Sequence, residues 1–313
     1  MTIDYDLDLS AVEFDPSITF DCGQAFRWHP LKDDRKEWVG LIGDSAFMVT
    51  KTHVKRLSGS GHDEETEDRL KTYFSMSDDI NKIKRTFPKD KFLALAASEC
   101  KGLRLLRQDP WECLISFICS INSNIPSIRL KIENLSKKFG KRIDVSFGPP
   151  LYTFPNPDSL ARAEKNELLA CKTGFRWKYI KFLSERVASG ELDLQIIERL
   201  QYREAANYLV SETSERTFGV GPKVADCVLL FSYHKLDVFP IDVWITRCIK
   251  SIYLDMLKIK DWKSLSTKRY YETASAIREY FGPYSGYAQQ YLYTKFRNDA
   301  AHSKNKAGLK GSD

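Results

Sequence analysis

A turn with two glycines that leads directly into an apolar helical pattern constrains this chain more than any other feature of its sequence. Gly219 and Gly221 free a short loop whose amides can point outward, and Pro222 suits the first position of a helix, where its missing N–H costs nothing. One face of the next segment is apolar, through Val224, Val228, Leu229 and Phe231. The sequence therefore predicts an anion-binding corner at the start of a helix with one buried face.

Two side chains that can carry chemistry accompany this turn. Lys223 lies on the first turn of the helix, where the macrodipole disfavours a positive charge and so favours a neutral amine. A neutral amine is a nucleophile toward an electrophilic carbon, and Asp242, 19 residues further on, can stabilise cationic character at that carbon or shuttle protons. The same pattern also describes a plain glycine turn that caps a buried helix, with a lysine that only reaches solvent.

Five strings, in the same order along the chain, resemble the 8-oxoguanine DNA glycosylase family, whose members use a helix-hairpin-helix to hold DNA. They are CGQAFRW (22–28), GLRLLRQDPWECLISFICSINSN (102–124), GFRWKYI (174–180), GVGPKVADCVLL with PIDVW (219–230 and 240–244), and FGPYSGYAQQYLY (281–293). The resemblance implies a bifunctional enzyme that flips an oxidised guanine out of duplex DNA, cleaves its glycosidic bond with a lysine, and nicks the strand by β-elimination.

The resemblance also implies roles for residues around the lysine. Lys223 matches the lysine that forms a Schiff base, and Asp242 matches the aspartate that assists at the sugar. A DNA phosphate is held in the family by a hairpin whose backbone matches Gly219, Val220 and Gly221. The carbonyl of Gly23 matches the one that reads the proton that oxidation places on N7 of guanine.

Three further positions match residues that bind the flipped base. Cys227 lies four residues after Lys223 and thus on the same helix face, which suits the cysteine that contacts one face of the base. Gln289 matches the glutamine that hydrogen-bonds the base edge, and Tyr293 stands where a phenylalanine usually stacks on the other face. The extra hydroxyl of Tyr293 needs a partner if it is buried. Apart from the resemblance, all three are ordinary core or surface residues.

Four positions match residues that contact DNA outside the base pocket. Asn122 and Asn124 follow an apolar helix that begins at Pro110, and their alternative interpretation is a plain polar helix end. The resemblance implies that Asn122 fills the gap left by the flipped nucleotide, that Phe175 is a wedge in the base stack, and that Arg176 touches the opposite base. Phe175 replaces the family's usual tyrosine.

Two positions depart from the family pattern more strongly. Ser127 occupies the place of an arginine that recognises cytosine opposite the lesion, so the sequence predicts weaker discrimination among opposite bases. Trp244 stands where many members have a histidine near the DNA phosphate, so one polar contact is predicted to be missing. Neither change removes a group on which the lysine chemistry depends.

Composition narrows the class of protein and the compartment. The formal net charge of +6 is compatible with DNA binding, and no apolar run approaches the length of a bilayer span. Seven scattered cysteines, with no CxxC pair, indicate neither a metal site nor an iron–sulfur cluster, unlike endonuclease III and the adenine-mismatch glycosylases. We predict a monomer that needs no cofactor and binds duplex DNA containing oxidised guanine. We also predict no membrane association and an intracellular compartment that holds DNA, either the nucleus or the nucleoid.

The pattern of elements predicts an α+β fold in three parts. Residues 1–90 form an N-terminal antiparallel sheet domain that resembles TATA-binding protein, with a two-residue hairpin turn at Gly43 and Asp44 and an exposed loop over residues 58–68. Residues 91–299 form a mostly α-helical helix-hairpin-helix glycosylase domain, and residues 300–313 form a flexible tail. Helices are predicted over residues 126–139, 160–171 and 177–188, each closed by a nearby glycine.

Three functions remain open at this stage. The first is excision of 8-oxoguanine with strand nicking. The second is excision of another damaged base by the same fold, because Tyr293 and Ser127 change the recognition shell. The third is a noncatalytic module that grips DNA through the hairpin alone, against which the presence of both Lys223 and Asp242 argues.

Overall fold

The computed structural model describes residues 6–59, 63–145, 148–213 and 218–309. Near the N-terminus lies a five-stranded antiparallel sheet in the order β1-β5-β4-β3-β2. Its strands are β1 (Asp6–Asp8), β2 (His29–Pro30), β3 (Trp38–Ile42), β4 (Ser45–Val49) and β5 (His53–Ser58). The predicted antiparallel sheet followed by helices is confirmed.

The predicted hairpin turn joins β3 to β4. Ile42 pairs with Ser45, which leaves Gly43 and Asp44 as the two-residue connection, and Gly43 has the positive φ of 63° that such turns require. One face of the sheet packs on a separate small core in which Phe20 stacks on Trp28, with ring centroids 4.3 Å apart. The sheet therefore has its own apolar support beside the larger helical core.

Three helices accompany the sheet. They are α1 (Pro16–Asp21), α2 (Asp63–Tyr73) and α3 (Ile80–Thr86). The predicted exposed loop over residues 58–68 is wrong from Asp63 onward, where α2 begins, and residues 60–62 of that loop lie outside the described part of the chain. Leu70 and Tyr73 are buried on one side of α2, whereas Glu64, Glu65 and Asp68 are exposed on its solvent face.

The rest of the chain is mostly helical. Its helices are α4 (Lys91–Glu99), α5 (Pro110–Cys119), α6 (Ile125–Phe139), α7 (Pro157–Arg162), α8 (Lys165–Ala170), α9 (Trp177–Ser189), α10 (Ile196–Arg199), α11 (Tyr202–Thr213), α12 (Pro222–Phe231), α13 (Val243–Cys248), α14 (Thr267–Phe281) and α15 (Ser285–Leu309). A two-stranded hairpin, β6 (Arg142–Ile143) with β7 (Leu151–Tyr152), a π-helical turn at Ile249–Tyr253, and two 3-10 helices at Gly174–Arg176 and Gly282–Tyr284 complete the described elements. Among the described residues, no helix is both long and apolar enough to cross a membrane.

Predicted helix boundaries hold where a cap is strong. Helix α6 ends at Gly140 as predicted, and α9 ends at Gly190, whose φ of 80° provides a left-handed cap. The single helix predicted over residues 160–171 is wrong, because the backbone turns extended at Ala163 and Glu164 and a new helix begins there. Glu164 and Glu167 form a capping box that stabilises this second start.

The end of the chain differs from the prediction. Helix α15 continues to Leu309, so most of the tail predicted over residues 300–313 is helical, and residues 310–313 lie outside the described part. The sequence of this segment lacks Pro and has a single Gly before residue 310, so nothing in it ends the helix. The division into domains at residues 90 and 299 remains a prediction.

Candidate active site

A cleft of about 1370 Å³ lies where the N-terminal part meets the helices. It is bordered by the loop at Gly23, the end of α5, the start of α6, the turn before α12, the segment before α13, and α15. Most of the site residues predicted from the sequence line it, namely Gly23, Asn122, Asn124, Gly219, Val220, Gly221, Lys223, Cys227, Asp242, Gln289 and Tyr293. Phe175, Arg176 and Ser127 are outside its lining, whereas Trp244 belongs to it.

Lys223 projects from the first turn of α12 into this cleft. Its Nζ donates a hydrogen bond to Ser120 Oγ at 3.1 Å and lies 4.9 Å from the centre of the Phe117 ring. The turn before it requires glycine, since Gly219 has a φ of 91° and a Cβ there would lie 2.7 Å from the Tyr179 ring. The amine is thus held by a hydroxyl and an aromatic face, beside the free amides of a helix start.

Asp242 caps the neighbouring helix α13. Its Oδ1 accepts a hydrogen bond from the amide of Ile245 at 2.8 Å. Burial raises the pKa of this carboxyl above its usual range, while the Ile245 amide and the charge of Lys223 oppose that rise. Lys223 and Asp242 line the same cleft, so the amine and the carboxyl share one site.

Cys227 lies one turn after Lys223 on α12, as the spacing predicts. Its side chain is buried, and burial raises the pKa of the thiol to about 12. Lys223 opposes this rise without reversing it. At neutral pH the sulfur is therefore a neutral, polarisable surface rather than a thiolate nucleophile.

Gln289 presents an incompletely bonded amide at the wall of the cleft. Its Nε2 donates to the carbonyl of Pro240 at 3.2 Å, but its buried Oε1 has no hydrogen-bond partner among the described residues. A buried polar atom without a partner costs about 1–3 kcal/mol. Such an acceptor suits a ligand that brings its own N–H donor.

Tyr293, one turn after Gln289 on α15, lies against Gly23. Gly23 has a φ of 80°, and a Cβ built on it would be 3.0 Å from the Tyr293 hydroxyl. The carbonyls on either side of Gly23 are engaged: Cys22 accepts from Gln290 at 2.7 Å, and Gln24 accepts from Gln108 at 2.9 Å. This position therefore needs glycine for its conformation and for the room it leaves to the phenol.

A second group of predicted residues forms the rim of the cleft. Asn122 is exposed and has a left-handed φ of 46°, while the side chain of Asn124 accepts from Ser127 N at 2.9 Å and caps α6. Phe175 is 48% exposed, the open side chain expected of a wedge. Arg176 is buried beneath it, with its guanidinium carbon 4.5 Å from the centre of the Phe175 ring.

The guanidinium of Arg176 is largely occupied. It donates to the carbonyls of Ile121, Asn122 and Thr173, the second of these at 3.1 Å. These bonds fix the unusual backbone at Asn122, so in this structure Arg176 supports the rim rather than projecting from it. Its Nε is buried and has no partner among the described residues.

Comparison with known proteins decides the family. The profile of the N-terminal domain of 8-oxoguanine DNA glycosylase matches residues 6–114. The N-glycosylase/DNA lyase of Saccharomyces cerevisiae is 32% identical over 266 residues, which cover 75% of this chain and 68% of the relative. A probable N-glycosylase/DNA lyase of Methanothermobacter thermautotrophicus is 31% identical over 250 residues, 74% of each chain. The chain belongs to the 8-oxoguanine DNA glycosylase family.

A solved member of the family has the same architecture. The 8-oxoguanine glycosylase/lyase of Clostridium acetobutylicum, in complex with double-stranded DNA containing cytosine opposite 8-oxoguanine, superposes with a TM-score of 0.81. The two chains are 34% identical over 96% of this chain and all of the other. The fold of the whole described chain is thus that of an 8-oxoguanine DNA glycosylase.

The two departures from the family pattern have local structural consequences. Ser127 Oγ accepts a hydrogen bond from the buried Lys131 Nζ at 2.6 Å, and Lys131 also donates to Ser123 Oγ at 3.0 Å. Trp244 stacks under the guanidinium of Arg247, which lies 4.9 Å from the centre of its ring. A small hydroxyl with a buried lysine beneath it, and an indole with an arginine above it, therefore stand at these two family positions.

Sequence reasoning missed several residues of this glycosylase site. Ser120 accepts a hydrogen bond from Lys223 although the two residues are 103 positions apart in the sequence, and no local sequence pattern predicts that contact. Lys131 and Arg297 each lie four residues after a predicted position, Ser127 and Tyr293, so helical spacing would have found them. Arg297 lines the cleft with its guanidinium carbon 5.6 Å from the centre of the Tyr293 ring.

The buried carboxyl of Asp226, on α12, is expected to make the stability of the protein depend on pH. Asp226 accepts from the hydroxyls of Tyr202 at 3.1 Å and Tyr270 at 2.7 Å, and burial raises its pKa to about 7 against the weaker effect of Arg278. Asp237 also faces this group and raises the pKa further.

This carboxyl holds its proton in the fold but loses it in the unfolded chain, so its contribution to stability falls as pH rises. Relative to Asp226→Asn, we expect the free energy of unfolding of the unchanged protein to fall by up to about 1.4 kcal/mol per pH unit between about pH 4 and pH 7. Urea titrations of both proteins at several pH values measure the difference. Parallel pH profiles would contradict the raised pKa.

Proposed function

We propose that this chain is a bifunctional DNA glycosylase and abasic-site lyase that excises 8-oxoguanine from duplex DNA. One observation carries the proposal: Lys223 and Asp242 line one cleft, which also holds the amide oxygen of Gln289 that has no partner in the described part of the chain. Family membership supports it, since the relatives bear the name N-glycosylase/DNA lyase. A passive DNA-binding module needs neither the amine nor the carboxylate.

Recognition uses the two walls of the cleft. The flipped base enters between Cys227 and Tyr293, where the neutral sulfur contacts one face and the ring stacks on the other. The carbonyl of Gly23 accepts the N7 proton that guanine lacks, and the unpaired Oε1 of Gln289 accepts an N–H from the base edge. Flipping costs a few kcal/mol of stacking, and Phe175 offsets part of this as a wedge while Asn122 occupies the vacated space.

The chemistry begins when Lys223 gives up its ammonium proton and its Nζ attacks C1′ of the nucleotide. A C–N bond forms as the glycosidic bond breaks, and the departing base takes up the proton that the newly bonded nitrogen loses. Asp242 stabilises the positive charge that develops on the sugar. The sugar ring then opens to an imine with Lys223, a proton leaves C2′, and the 3′ phosphate departs by β-elimination.

The DNA backbone is held by the turn before α12. The backbone of Gly219, Val220 and Gly221 lies next to the positive end of that helix, which suits a phosphate oxygen. In this structure the N–H of Gly221 donates to the carbonyl of Gly219 at 3.2 Å. Asn124 and Arg176 support the rim on the far side of the lesion. We further propose that the protein acts as a monomer on duplex DNA, in the compartment that contains it, the nucleus or nucleoid.

A second candidate function is excision of another oxidised purine. The Tyr293 hydroxyl and Arg297 add donors to a wall that is otherwise apolar, and this observation favours bases with additional oxygen atoms. Rates of excision from a panel of oligonucleotides, each with one lesion, separate the two functions. Faster removal of a different oxidised purine than of 8-oxoguanine would favour the second.

The opposite base tests the proposed function and the Ser127 departure together. We expect borohydride to trap a covalent adduct on duplexes with 8-oxoguanine opposite any of the four bases, with rates within about tenfold of one another, because one bidentate contact is worth about 1–3 kcal/mol and serine cannot make it. Duplexes with normal guanine are the control and should give no adduct. A rate opposite cytosine that exceeds the others by far more than tenfold would contradict this expectation, and absence of any adduct would contradict the lyase assignment.

A further inference from the structure

One peptide unit, the Pro240–Ile241 amide one residue before Asp242, is held at both ends by buried side chains. Its carbonyl accepts a hydrogen bond from Gln289 Nε2 at 3.2 Å. Its N–H donates to the hydroxyl of Tyr270 at 3.1 Å. Two side chains from different helices thus fix the orientation of the backbone that leads into the carboxylate.

The hydroxyl of Tyr270 is itself oriented by Asp226. A phenol has a single proton, and Tyr270 directs it to Asp226 Oδ2 at 2.7 Å, which leaves an oxygen lone pair for the Ile241 amide. Asp226 is fully buried on α12, three residues after Lys223. The chain of bonds therefore connects the helix that carries the amine to the segment that carries the carboxylate.

This segment has no regular structure of its own. Between the end of α12 and the start of α13 the chain is anchored at several points. Among them are Leu236, whose carbonyl accepts from Gly286 N at 2.8 Å, and Asp237, which pairs with Arg278. The last anchor before Asp242 is the peptide held by Gln289 and Tyr270. On its C-terminal side, Asp242 caps α13 through its own side chain. The position of its carboxylate is therefore set by the held Pro240–Ile241 peptide and by this cap.

We propose that Tyr270, oriented by Asp226, is a positioning residue that sets the distance and direction of the Asp242 carboxylate relative to the Lys223 amine. The inference rests on the proposed function of the cleft and goes beyond it, because neither Tyr270 nor Asp226 has a part in the chemistry described above. A displacement of about 1 Å in such a group can cost on the order of 100-fold in rate. The single bond from Tyr270 to Ile241 is therefore expected to matter for rate more than for DNA affinity.

The chain offers a matched control for this bond. Tyr202 donates its hydroxyl to the other oxygen of Asp226 at 3.1 Å, and its ring packs under Arg278 at 3.9 Å, but it makes no contact with the Ile241 amide. Tyr270→Phe and Tyr202→Phe each remove one hydroxyl that donates to the Asp226 carboxyl, and each keeps the aromatic ring. Only the first also releases the peptide before Asp242.

The test measures single-turnover excision of 8-oxoguanine at saturating enzyme, together with the enzyme concentration for half-maximal rate. We expect Tyr270→Phe to lower the saturating rate by about 10–100-fold with an unchanged half-saturating concentration. Tyr202→Phe should retain the rate of the unchanged protein within about threefold, and both variants should lose similar amounts of melting temperature. Asp226→Ala, assayed below its melting temperature, should slow excision as Tyr270→Phe does and serves in its place if that variant does not fold.

Two outcomes overturn the inference. Equal rates for the two phenylalanine variants would overturn it: if both are fast, the bonds to Asp226 act on stability alone, and if both are slow, the bond from the Ile241 amide to Tyr270 is not what sets the rate. A raised half-saturating concentration at an unchanged saturating rate would place Tyr270 in DNA binding. Asp242→Asn, run in the same assay, separates failure of the inference from failure of the proposed function: if it keeps the full rate, the role proposed for Asp242 is wrong, whereas slow Asp242→Asn beside fast Tyr270→Phe refutes only the positioning.

Discussion

Replacement of Lys223 with glutamine is expected to lower both base excision and strand nicking by a factor of at least about 10³, because both steps use the same amine as nucleophile. Glutamine is close to lysine in length and can still bond Ser120 Oγ, so the cleft should keep its shape. We expect duplex binding, measured by fluorescence anisotropy on 8-oxoguanine duplexes, to remain within about threefold of the unchanged protein, since one charge makes a small part of a DNA interface.

The control for this variant is Lys36→Gln, which makes the same chemical change on an exposed residue 81% accessible in its side chain. It should excise and nick at the rate of the unchanged protein, which would separate loss of the nucleophile from loss of one positive charge. Excision by Lys223→Gln at the normal rate would show that another group attacks the sugar. A normal excision rate without nicking would limit Lys223 to the lyase step.

Asp242→Asn is expected to lower the excision rate by about 10²–10⁴, the range in which a positioned carboxylate contributes to such chemistry. Asparagine caps a helix about as well as aspartate, so the bond to the Ile245 amide and the start of α13 should survive. The variant therefore removes the negative charge while keeping the shape of the site. Single-turnover excision and a melting temperature close to that of the unchanged protein test the two halves of this expectation.

The same variant gives a pH signature. Because burial raises the pKa of Asp242, its carboxylate form is lost as pH falls through a value above the usual aspartate range. The ratio of the unchanged protein's rate to that of Asp242→Asn is therefore expected to fall toward one as pH is lowered, and to level off above that pKa. A ratio independent of pH down to the ordinary aspartate range would contradict both the raised pKa and the role of the charge.

The sequence predicts best those features that depend only on residues close together along the chain. The Gly43–Asp44 hairpin and the Gly190 cap follow from local backbone rules, and the structure has both. The break at Ala163 escaped prediction because the apolar pattern continues across it, and only the capping box of Glu164 marks the new start. Local signals therefore locate the elements but place some boundaries wrongly.

The site shows the same limit more sharply. Helical spacing places Cys227 beside Lys223 and Tyr293 beside Gln289, because each pair shares one helix. The contacts that orient the groups join residues distant in sequence, such as Ser120 with Lys223 and Gln289 with Pro240. Tertiary packing alone decides those pairs, so neither spacing nor family resemblance predicts them.

The loop at Gly23 lies in a different part of the chain from Lys223 and Asp242. This glycine belongs to the part of the chain that carries the sheet, yet the residue before it is tied to Gln290 on α15 and the residue after it to Gln108. The lysine and the aspartate, by contrast, belong to the helices. With the roles proposed above and the predicted boundary at residue 90, a segment from residue 91 onward would contain the groups proposed to break bonds and would lack the carbonyl proposed to read N7. On that proposal, selectivity toward the lesion depends on the contact between the two parts of the chain.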